Sequence, residues 1–345
     1  MSARPRRVEN PPNPWLGAHV EWLDEPPPVE LAVYEEDARE ILAENDSPDV
    51  PFRWSLNPYR GCQHACAYCY ARPYHELLGF GAGTDFDSRI VVKRNAVERL
   101  AATLAKRTWK RESIAFSGAT DCYQPLEASY GLTGGCLEVC ERAEQPLGIV
   151  TKSALVRRDV DVLARLARRG LAKVFVSIPF ADAAQARALE PWAPEPAKRF
   201  ETLRALSDAG VPTGVSLSPL IPGLNEAQIP EILARAKDAG ARQAFMILLR
   251  LPSSVRPVFE ARLRDALPER AERVLAAWSE LRAGQRSRSD FGTRMRGEGP
   301  RWEAIRRLYE LTARRLGYVG IGEDRRLEPL EPPEPERPRQ GELFG

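Results

Sequence analysis

The sequence predicts an α/β fold in which parallel strands form one sheet with helices packed outside it. Between residues 97 and 249, short apolar segments of strand length alternate with segments of helical periodicity. Glycines follow three of the helical segments, at Gly170, Gly210 and Gly240, where a residue free to adopt positive φ ends a helix. With 345 residues, the chain is long enough to bury the core of such a sheet.

The elements alternate in chain order. The periodicity predicts helices over residues 97–106, 132–142, 160–168, 197–209 and 227–239. Apolar runs predict strands over residues 114–116, 147–151, 174–178, 213–217 and 244–249. Because a helix separates each pair of strands, we expect the strands to be parallel and their carboxyl ends to meet at one edge.

Composition divides the chain into four parts. These are an N-terminal extended arm (1–50), a core (51–285), an Arg-rich loop with a C-terminal helix (286–327) and a disordered tail rich in Pro and Glu (328–345). Within the arm, the acidic stretch 35–44 favours one helical turn or more. The C-terminal helix is predicted over residues 302–316.

The charge and hydropathy of the whole chain give no general signal for a nucleic acid or a membrane, so any such partner must be recognised from local features. The formal net charge is +2, so no overall field attracts nucleic acid or a membrane surface. No apolar run approaches the ~20 residues that span a bilayer. The basic first residues are followed by polar residues and proline rather than by an apolar segment. We therefore expect a cytoplasmic protein with no membrane partner and with reduced cysteines.

Three cysteines lie in one short loop. Cys62, Cys66 and Cys69 are spaced four and three residues apart, and thiolates in such an arrangement suit an iron–sulfur cluster or zinc. Structural zinc usually takes four protein ligands, whereas a four-iron cluster held by three cysteines leaves one iron open. His64 is interpreted as a loop residue, since its position between two cysteines is too close for it to join their metal. A non-catalytic zinc-binding module stays the alternative.

With Tyr68 directly before the last cysteine, this loop resembles the signature of the radical S-adenosylmethionine (SAM) enzymes. The resemblance implies a partial (β/α)6 barrel, similar to part of a TIM barrel, and a 4Fe–4S cluster on Cys62, Cys66 and Cys69. It implies that SAM binds the open iron with Tyr68 near its adenine. One electron from the cluster then yields a 5′-deoxyadenosyl radical that abstracts hydrogen from a substrate. The resemblance also implies an electron donor such as flavodoxin or ferredoxin.

Residues 57–251 resemble the branch that contains the spore photoproduct lyases. In that branch, residues at the ends of the second to fifth strands contact SAM, and a glycine lets the backbone approach the ligand. The resemblance implies SAM contacts by Gly118, Ala119, Thr120, Lys152, Ser177 and Ile221. Pro219 replaces the first glycine of the motif that contains Ile221.

The catalytic residue is not implied by the resemblance. Spore photoproduct lyases return a hydrogen atom from a cysteine in the segment after the second strand, where this chain has Gly118. Cys122 is the candidate substitute. The thymine-dimer reaction therefore does not carry over, and the chain resembles a sister group with an unknown substrate, for which nucleic acid is one option. Cys136 and Cys140, four apart on a predicted helix, are interpreted as small buried hydrophobes.

The C-terminal region offers two further hypotheses. Its arginines could bind phosphates, or could be solvated and paired with acidic residues. They are Arg282, Arg286, Arg288, Arg294, Arg296, Arg301, Arg306, Arg307, Arg314 and Arg315. The segment from Gln340 to Phe344 resembles the motif by which proteins bind the bacterial sliding clamp. A clamp-recruited, DNA-associated protein is therefore a further alternative function.

Overall fold

The computed structural model describes residues 6–8, 30–282, 291 and 294–319. The predicted tail 328–345, with the clamp-like segment from Gln340 to Phe344, lies outside the described residues. So do Arg286 and Arg288 of the predicted Arg-rich loop. Among the described residues, no helix is long and apolar enough to cross a bilayer.

Strands and helices alternate through most of the described chain. The strands are β1 (Arg6–Val8), β2 (Ala32–Glu36), β3 (Leu42–Glu44), β4 (Trp54–Leu56), β5 (Tyr59–Arg60), β6 (Arg89–Lys93), β7 (Ile114–Phe116), β8 (Leu147–Thr151), β9 (Ala172–Ser177), β10 (Thr213–Leu220) and β11 (Gln243–Leu248). The helices are α1 (Pro73–Glu76), α2 (Thr84–Ser88), α3 (Ala96–Leu104), α4 (Glu127–Tyr130), α5 (Leu132–Ala143), α6 (Val160–Arg168), α7 (Ala183–Leu189), α8 (Pro196–Asp208), α9 (Ile229–Asp238), α10 (Val255–Ala266), α11 (Pro268–Leu281) and α12 (Pro300–Arg315). Short 3-10 turns precede α6 and α9.

The main sheet has the strand order β11-β10-β9-β8-β7-β4-β3. All neighbours from β4 to β11 are parallel, while β3 runs antiparallel to β4. Leu56 pairs with Phe116, and Phe116 pairs with Ile149, so the apolar side chains of adjacent strands lie in register. The six parallel strands follow one another in chain order, which confirms the predicted α/β fold of a partial (β/α)6 barrel. Their carboxyl ends therefore share one edge of the sheet.

The core lies between this sheet and the helices outside it. Helix α6 places Leu163 and Leu166 against the sheet, both with no exposed surface. The strands contribute fully buried residues such as Ile149, Val174 and Val215. Because so many apolar side chains leave water together, burial against the sheet is what holds the helices in place.

The ten helices and strands predicted between residues 97 and 249 are confirmed, with bounds that differ by a few residues at most. Gly170, Gly210 and Gly240 follow α6, α8 and α9 with φ of 67°, 80° and 95°. The C-terminal helix is also confirmed, as α12, and it buries Trp302 and Ile305. Helices α10 and α11, after the last strand, were not predicted.

The prediction of a helical turn over residues 35–44 was wrong. This part of the chain forms β2 and β3, which pair with β6 and β4. Val33 and Ile41 are buried there, so pairing and burial outweigh the weak helical preference of the acidic residues. Strands β1, β2, β6 and β5 form a second sheet in that order.

Candidate functional site

The cysteine loop begins after β5, close to the carboxyl end of the first parallel strand, β4. All three cysteines are free thiols; Cys62 and Cys66 are buried and Cys69 is partly buried. The amide of Ala65 donates to the carbonyl of Cys62, and the amide of Cys69 donates to that of Cys66, each at 3.2 Å. Ala65 has a φ of 53°, which turns the chain sharply. Two consecutive turns thus bring the three thiols into one small loop.

Arg72 fixes this loop from behind. Its side chain is 1% exposed, and its Nε and Nη2 donate to the carbonyl of Cys66 at 3.0 and 2.9 Å. The same guanidinium donates to the carbonyls of Ala82 and Gly83 and pairs with Asp87 at 2.9 Å. A planar, five-donor group is well suited to this role. Sequence reasoning missed Arg72, because a single arginine after the last cysteine carries no distinctive spacing.

The segment after β7 braces the other side of the loop. The side chain of Gln124 donates to the carbonyl of Gly61 at 3.1 Å and accepts from the amide of Gln63 at 3.0 Å. Asn57 donates to the carbonyl and the hydroxyl of Thr120 at 2.7 and 2.6 Å. The predicted SAM contact Thr120 is therefore buried beside the loop, with its side chain already hydrogen-bonded.

Gly118 and Ala119 also lie beside the cysteine loop. The carbonyl of Gly118 accepts a hydrogen bond from the Tyr70 hydroxyl at 2.6 Å. A Cβ at Gly118 would stand 2.6 Å from the Cβ of Ser55, so the tight packing requires glycine. Ala119 packs against the apolar cluster that contains Cys62. The structure brings this predicted segment and the thiols together.

Asp121 links the loop to the third parallel strand end. Its carboxylate accepts from the hydroxyl of Thr151 at 2.7 Å and from the amide of Lys152 at 2.8 Å. The buried imidazole of His64 has its Nδ1 3.4 Å from Oδ2 of the same carboxylate. Burial alone would raise the pKa of Asp121, but His64 and these donors outweigh it and lower the pKa to about 2. His64 is thus engaged as a loop residue.

A buried group of charges lies next to Tyr68. The Tyr68 hydroxyl donates to Glu190, whose other carboxylate oxygen accepts from Arg199 Nη2 at 2.5 Å. Lys152 Nζ stands 3.8 Å from Glu190 and 5.8 Å from the centre of the Tyr68 ring. Burial would raise the pKa of Glu190, but Arg199 and Lys152 outweigh it and keep the pKa below its usual value. The predicted contacts Tyr68 and Lys152 therefore meet at a carboxylate that sequence reasoning missed.

One sequence signal could have indicated Arg199. It lies on α8 four and seven positions before Leu203 and Leu206, both fully buried, and so shares their apolar face. A charge on such a face needs a buried partner. Glu190 follows α7 in a loop, and its sequence context carries no comparable signal.

Ser177 and Ile221 complete the predicted set. The carbonyl of Ser177 accepts from Arg199 at 3.1 Å, and its hydroxyl donates to the carbonyl of Ser218 at 3.3 Å. Ile221 has no exposed surface and belongs to the apolar cluster that contains Cys66 and Tyr68. The structure thus gathers the predicted contacts from four strand ends around the cysteine loop.

Cys122 lies elsewhere. It is fully buried in the main core, in the same apolar cluster as Cys136 and Cys140, rather than in the clusters that contain the cysteine loop. Its carbonyl accepts from the hydroxyl of Thr133 at 2.7 Å. Cys136 and Cys140 pack on α5 as small hydrophobes, as expected.

The thiols of the loop suit a soft, positively charged centre. Burial is the main reason that the pKa of each of the three thiols is raised, to about 12 for Cys66, so a nearby cation is needed to hold them as thiolates. Among the residues that the structure describes, no group of three or more His, Cys, Asp or Glu side chains converges as the ligands of a single metal ion. A four-iron cluster differs, because the three cysteines would bind three different irons rather than converge on one ion.

Several of the C-terminal arginines that the structure describes are engaged by other groups of the chain. Arg282 is buried and donates to the carbonyls of Leu249, Arg294 and Arg296. Arg301 pairs with Glu280 and Arg306 with Glu310, at 2.9 and 3.0 Å. The ion pairs of Arg301 and Arg306 favour the ion-pair interpretation for these two residues of α12.

Comparisons with known proteins agree with this geometry. The family model of the Radical SAM superfamily matches residues 56–236, more than half of the chain. The uncharacterized protein Rv2578c of Mycobacterium tuberculosis is 37% identical over 226 residues, which are 65% of this chain and 66% of the relative. The uncharacterized protein MJ0683 of Methanocaldococcus jannaschii is 32% identical over 177 residues, or 51% of this chain and 63% of the relative. The chain thus spans just under two thirds of these relatives.

Two solved structures share the fold. A spore photoproduct lyase complexed with dinucleoside spore photoproduct has a TM-score of 0.60 and 14% identity, covering 84% of this chain and 81% of its own. A mutant of spore photoproduct lyase with bound AdoMet and dinucleoside spore photoproduct has a TM-score of 0.55 and 16% identity, with the same coverage. Identity this low shows the fold alone. Together with the family match over residues 56–236, these observations show that the chain belongs to the radical SAM superfamily, whose enzymes carry a 4Fe–4S cluster, bind SAM and need a reductant such as flavodoxin or ferredoxin.

Proposed function

We propose that the protein is a radical SAM enzyme in which Cys62, Cys66 and Cys69 hold the 4Fe–4S cluster. The observation that carries this proposal is the loop itself. Three free thiols lie within eight consecutive residues, and Arg72 fixes the loop at the carboxyl edge of six parallel strands. When bound, the cluster supplies the electron that cleaves SAM to methionine and a 5′-deoxyadenosyl radical, which takes a hydrogen atom from the substrate.

The chain's own residues would then orient SAM. Gly118, Ala119 and Thr120 bring the backbone beside the loop, where carbonyl groups can accept from an ammonium group. The ammonium group of Lys152 would pair with the carboxylate of SAM. Glu190 already accepts hydrogen bonds from Tyr68 and Arg199. It would therefore position Lys152 while leaving the ammonium charge of Lys152 able to bind an anion. These roles are supported by proximity in the structure and by the family resemblance.

One apolar and one polar residue would flank the nucleoside part of SAM. Ile221 supports the adenine from its place in the cluster with Tyr68. Ser177 lies at the end of β9, where it would approach the ribose. Cys122 stays the candidate hydrogen donor, and since it is fully buried, its use would require the segment 117–122 to open.

The proposed substrate class is nucleic acid. Support comes from the likeness in fold to a lyase whose structure contains a dinucleoside spore photoproduct. A sliding clamp is proposed as a partner through Gln340 and Phe344. Titration of a purified clamp with the tail peptide should give saturable binding that is lost on Phe344→Ala, and equal binding by both peptides would refute that partner.

The central experiment is anaerobic reconstitution with iron and sulfide. We expect a brown protein that loses its colour and its iron on Cys66→Ala, while the matched core variant Cys140→Ala keeps both. Reduced protein incubated with SAM should release 5′-deoxyadenosine, assayed with and without damaged DNA. A colourless protein that binds zinc and leaves SAM intact would refute the proposed function.

A further inference from the structure

Two buried carboxylates connect the cysteine loop to Lys152. Glu190 accepts from the hydroxyl of Tyr68 and stands 3.8 Å from the ammonium nitrogen of Lys152. Asp121 makes the corresponding connection at the other end of the lysine. Its Oδ2 accepts from the backbone amide of Lys152 at 2.8 Å and lies 3.4 Å from Nδ1 of His64. The flexible side chain of Lys152 is therefore held at both ends, and each end is connected to a residue of the loop.

The other oxygen of Asp121 binds Thr151 and Tyr123. Oδ1 accepts from the hydroxyl of Thr151 at 2.7 Å and from the amide of Tyr123 at 2.9 Å. The Thr151 hydroxyl in turn accepts from the amide of Ser153 at 2.9 Å, so it also fixes the turn that follows β8. An ionised carboxylate offers only acceptor sites, and each oxygen of Asp121 faces two donors. Only 9% of the side chain is exposed, so water has little access to replace a lost partner.

His64 places this contact in the middle of the loop. It is two residues from Cys62 and two residues from Cys66, and its imidazole is 2% exposed. Asp121 therefore contacts the loop between two of its cysteines, on the side that faces the end of β8.

The cysteine loop has other supports besides Asp121. Arg72 holds it through the carbonyl of Cys66, and Gln124 holds its first residues. Because these bonds do not involve Asp121, they should keep the three thiols together when the contacts of Asp121 are lost. The position of Lys152 relative to the thiols is what should change.

We propose that Asp121 is a positioning residue for SAM. By contacting His64 of the loop and the amide of Lys152, it sets where the lysine ammonium stands relative to the three cysteines. The inference rests on the proposed function, in which the ammonium pairs with the carboxylate of SAM while the cluster on those cysteines binds the same molecule. Both groups can bind one molecule tightly only when the spacing between them fits it, and such spacing is set by the residues that support them.

Asp121→Asn tests this role. The change keeps the size of the side chain but replaces one acceptor oxygen by an NH₂ group, which would face other donors. Calorimetry on reconstituted protein should show about tenfold weaker binding of SAM, with an unchanged iron content. The electron paramagnetic resonance spectrum of the reduced cluster should match that of wild type without SAM, and its change on adding SAM should require about tenfold more SAM. A merely structural role would lower the iron content as well.

Asp159→Asn is the matched control, because the substitution is the same and the burial is similar. The Asp159 side chain is 12% exposed and accepts from the Tyr123 hydroxyl and from Arg158, each at 3.0 Å. Within the described chain, none of its hydrogen bonds goes to the cysteine loop or to Lys152. This variant should bind SAM as tightly as wild type.

Thr151 provides a second test that leaves the carboxylate in place. Thr151→Val removes the hydroxyl and should weaken binding of SAM, whereas Thr151→Ser should preserve it, because serine keeps the donor to Asp121. If thermal unfolding shows that Asp121→Asn does not fold, this pair decides the question, and equal affinities of the two Thr151 variants would overturn the proposal.

The possible results separate the positioning role from the proposed function. A wild-type affinity in Asp121→Asn, or equal losses in Asp121→Asn and Asp159→Asn, would overturn the positioning role and leave the proposed function intact. Wild-type protein that takes up no iron or binds no SAM would instead refute the proposed function, and the positioning role with it.

Discussion

The carboxylate of Glu190 accepts a hydrogen bond from the hydroxyl of Tyr68, a residue 122 positions earlier in the chain. Both side chains are buried, and Arg199, 1% exposed, binds the second oxygen of the same carboxylate. The loop that carries the cysteines is thereby joined to α8 through one buried acid. The position of Tyr68 depends on a charge pair as much as on apolar packing.

Replacing Glu190 by Gln should strongly destabilise the fold. The change keeps the shape of the side chain but leaves the Arg199 guanidinium buried without a counter-charge. Breaking a buried pair from one side costs on the order of 3–5 kcal/mol in the free energy of unfolding. Urea denaturation measures this cost.

The matched control for this change is Glu195→Gln. Glu195 pairs with Arg187 at 2.7 Å, but the two side chains are 47% and 39% exposed. An exposed pair of this kind contributes about 0–1 kcal/mol. The double variant Glu190→Gln with Arg199→Met should recover part of the loss, because it removes the Arg199 guanidinium that Glu190→Gln leaves buried without a counter-charge, although Lys152 still loses its neighbour. Equal costs for Glu190→Gln and Glu195→Gln would contradict the role of the buried pair.

The sequence predicts the features of this protein that depend on local pattern. Strand β8 is predicted with the bounds that it has, since five apolar or β-branched positions between two helices define it. The cysteine spacing likewise defines the loop. Glu190 and Arg72 could not be predicted in this way, because a charged residue looks solvent-exposed in sequence until its buried partner is known. Strand β2 was missed for a similar reason, because its partner β6 lies in a distant segment of the chain.

Arg72 should control how firmly the loop retains iron. Lysine in its place keeps the charge but cannot make the paired bonds to the Cys66 carbonyl together with those to Ala82, Gly83 and Asp87. Loss of such supporting contacts typically costs 10–100-fold in metal affinity. We expect a chelator to remove iron from reconstituted Arg72→Lys at least about tenfold faster, measured as loss of visible absorption.

Arg94→Lys is the control for that experiment. Arg94 also forms a two-bond pair, with Asp37, but both side chains are about half exposed. The two residues directly follow strands β6 and β2 of the second sheet. Its substitution should leave the rate of iron loss unchanged. The proposed role of Arg72 fails if both variants lose iron at the wild-type rate.

Gly118→Ala should be destabilising because of Ser55. The added Cβ would meet the Cβ and Oγ of Ser55 at 2.6 and 2.9 Å, so strand β4 or the segment after β7 must shift. Overpacking of this kind typically costs 1–3 kcal/mol. Urea denaturation should show the loss, and the altered backbone should also weaken binding of SAM, measured by calorimetry on reconstituted protein.

Ser55→Gly gives this prediction an internal control. The glycine itself weakens β4 by roughly 0.5–1 kcal/mol, but it removes both atoms that the new Cβ would meet. Adding Gly118→Ala to the Ser55→Gly background should therefore cost less than about 0.5 kcal/mol, within the error of additivity. An undiminished cost in that background would show that the clash with Ser55 is not the cause.

The stability of the protein relative to a Lys93→Met variant should rise with pH in mild alkali. Its Nζ donates to the carbonyl of Asn57 at 3.1 Å, and burial, followed by the charge of Arg60, lowers its pKa from 10.5 to about 8. The unfolded chain holds this proton up to its ordinary pKa, so between pH 8 and 10.5 the unfolded state binds more protons and the free energy of unfolding rises with pH. Below pH 8 the penalty for the buried cation is complete, at most about 3 kcal/mol, and Lys93→Met should then be the more stable protein. Denaturation at pH 7, 8, 9 and 10 measures the difference between the two proteins; a difference that stays constant with pH would show that the Lys93 ammonium is not destabilised by its surroundings.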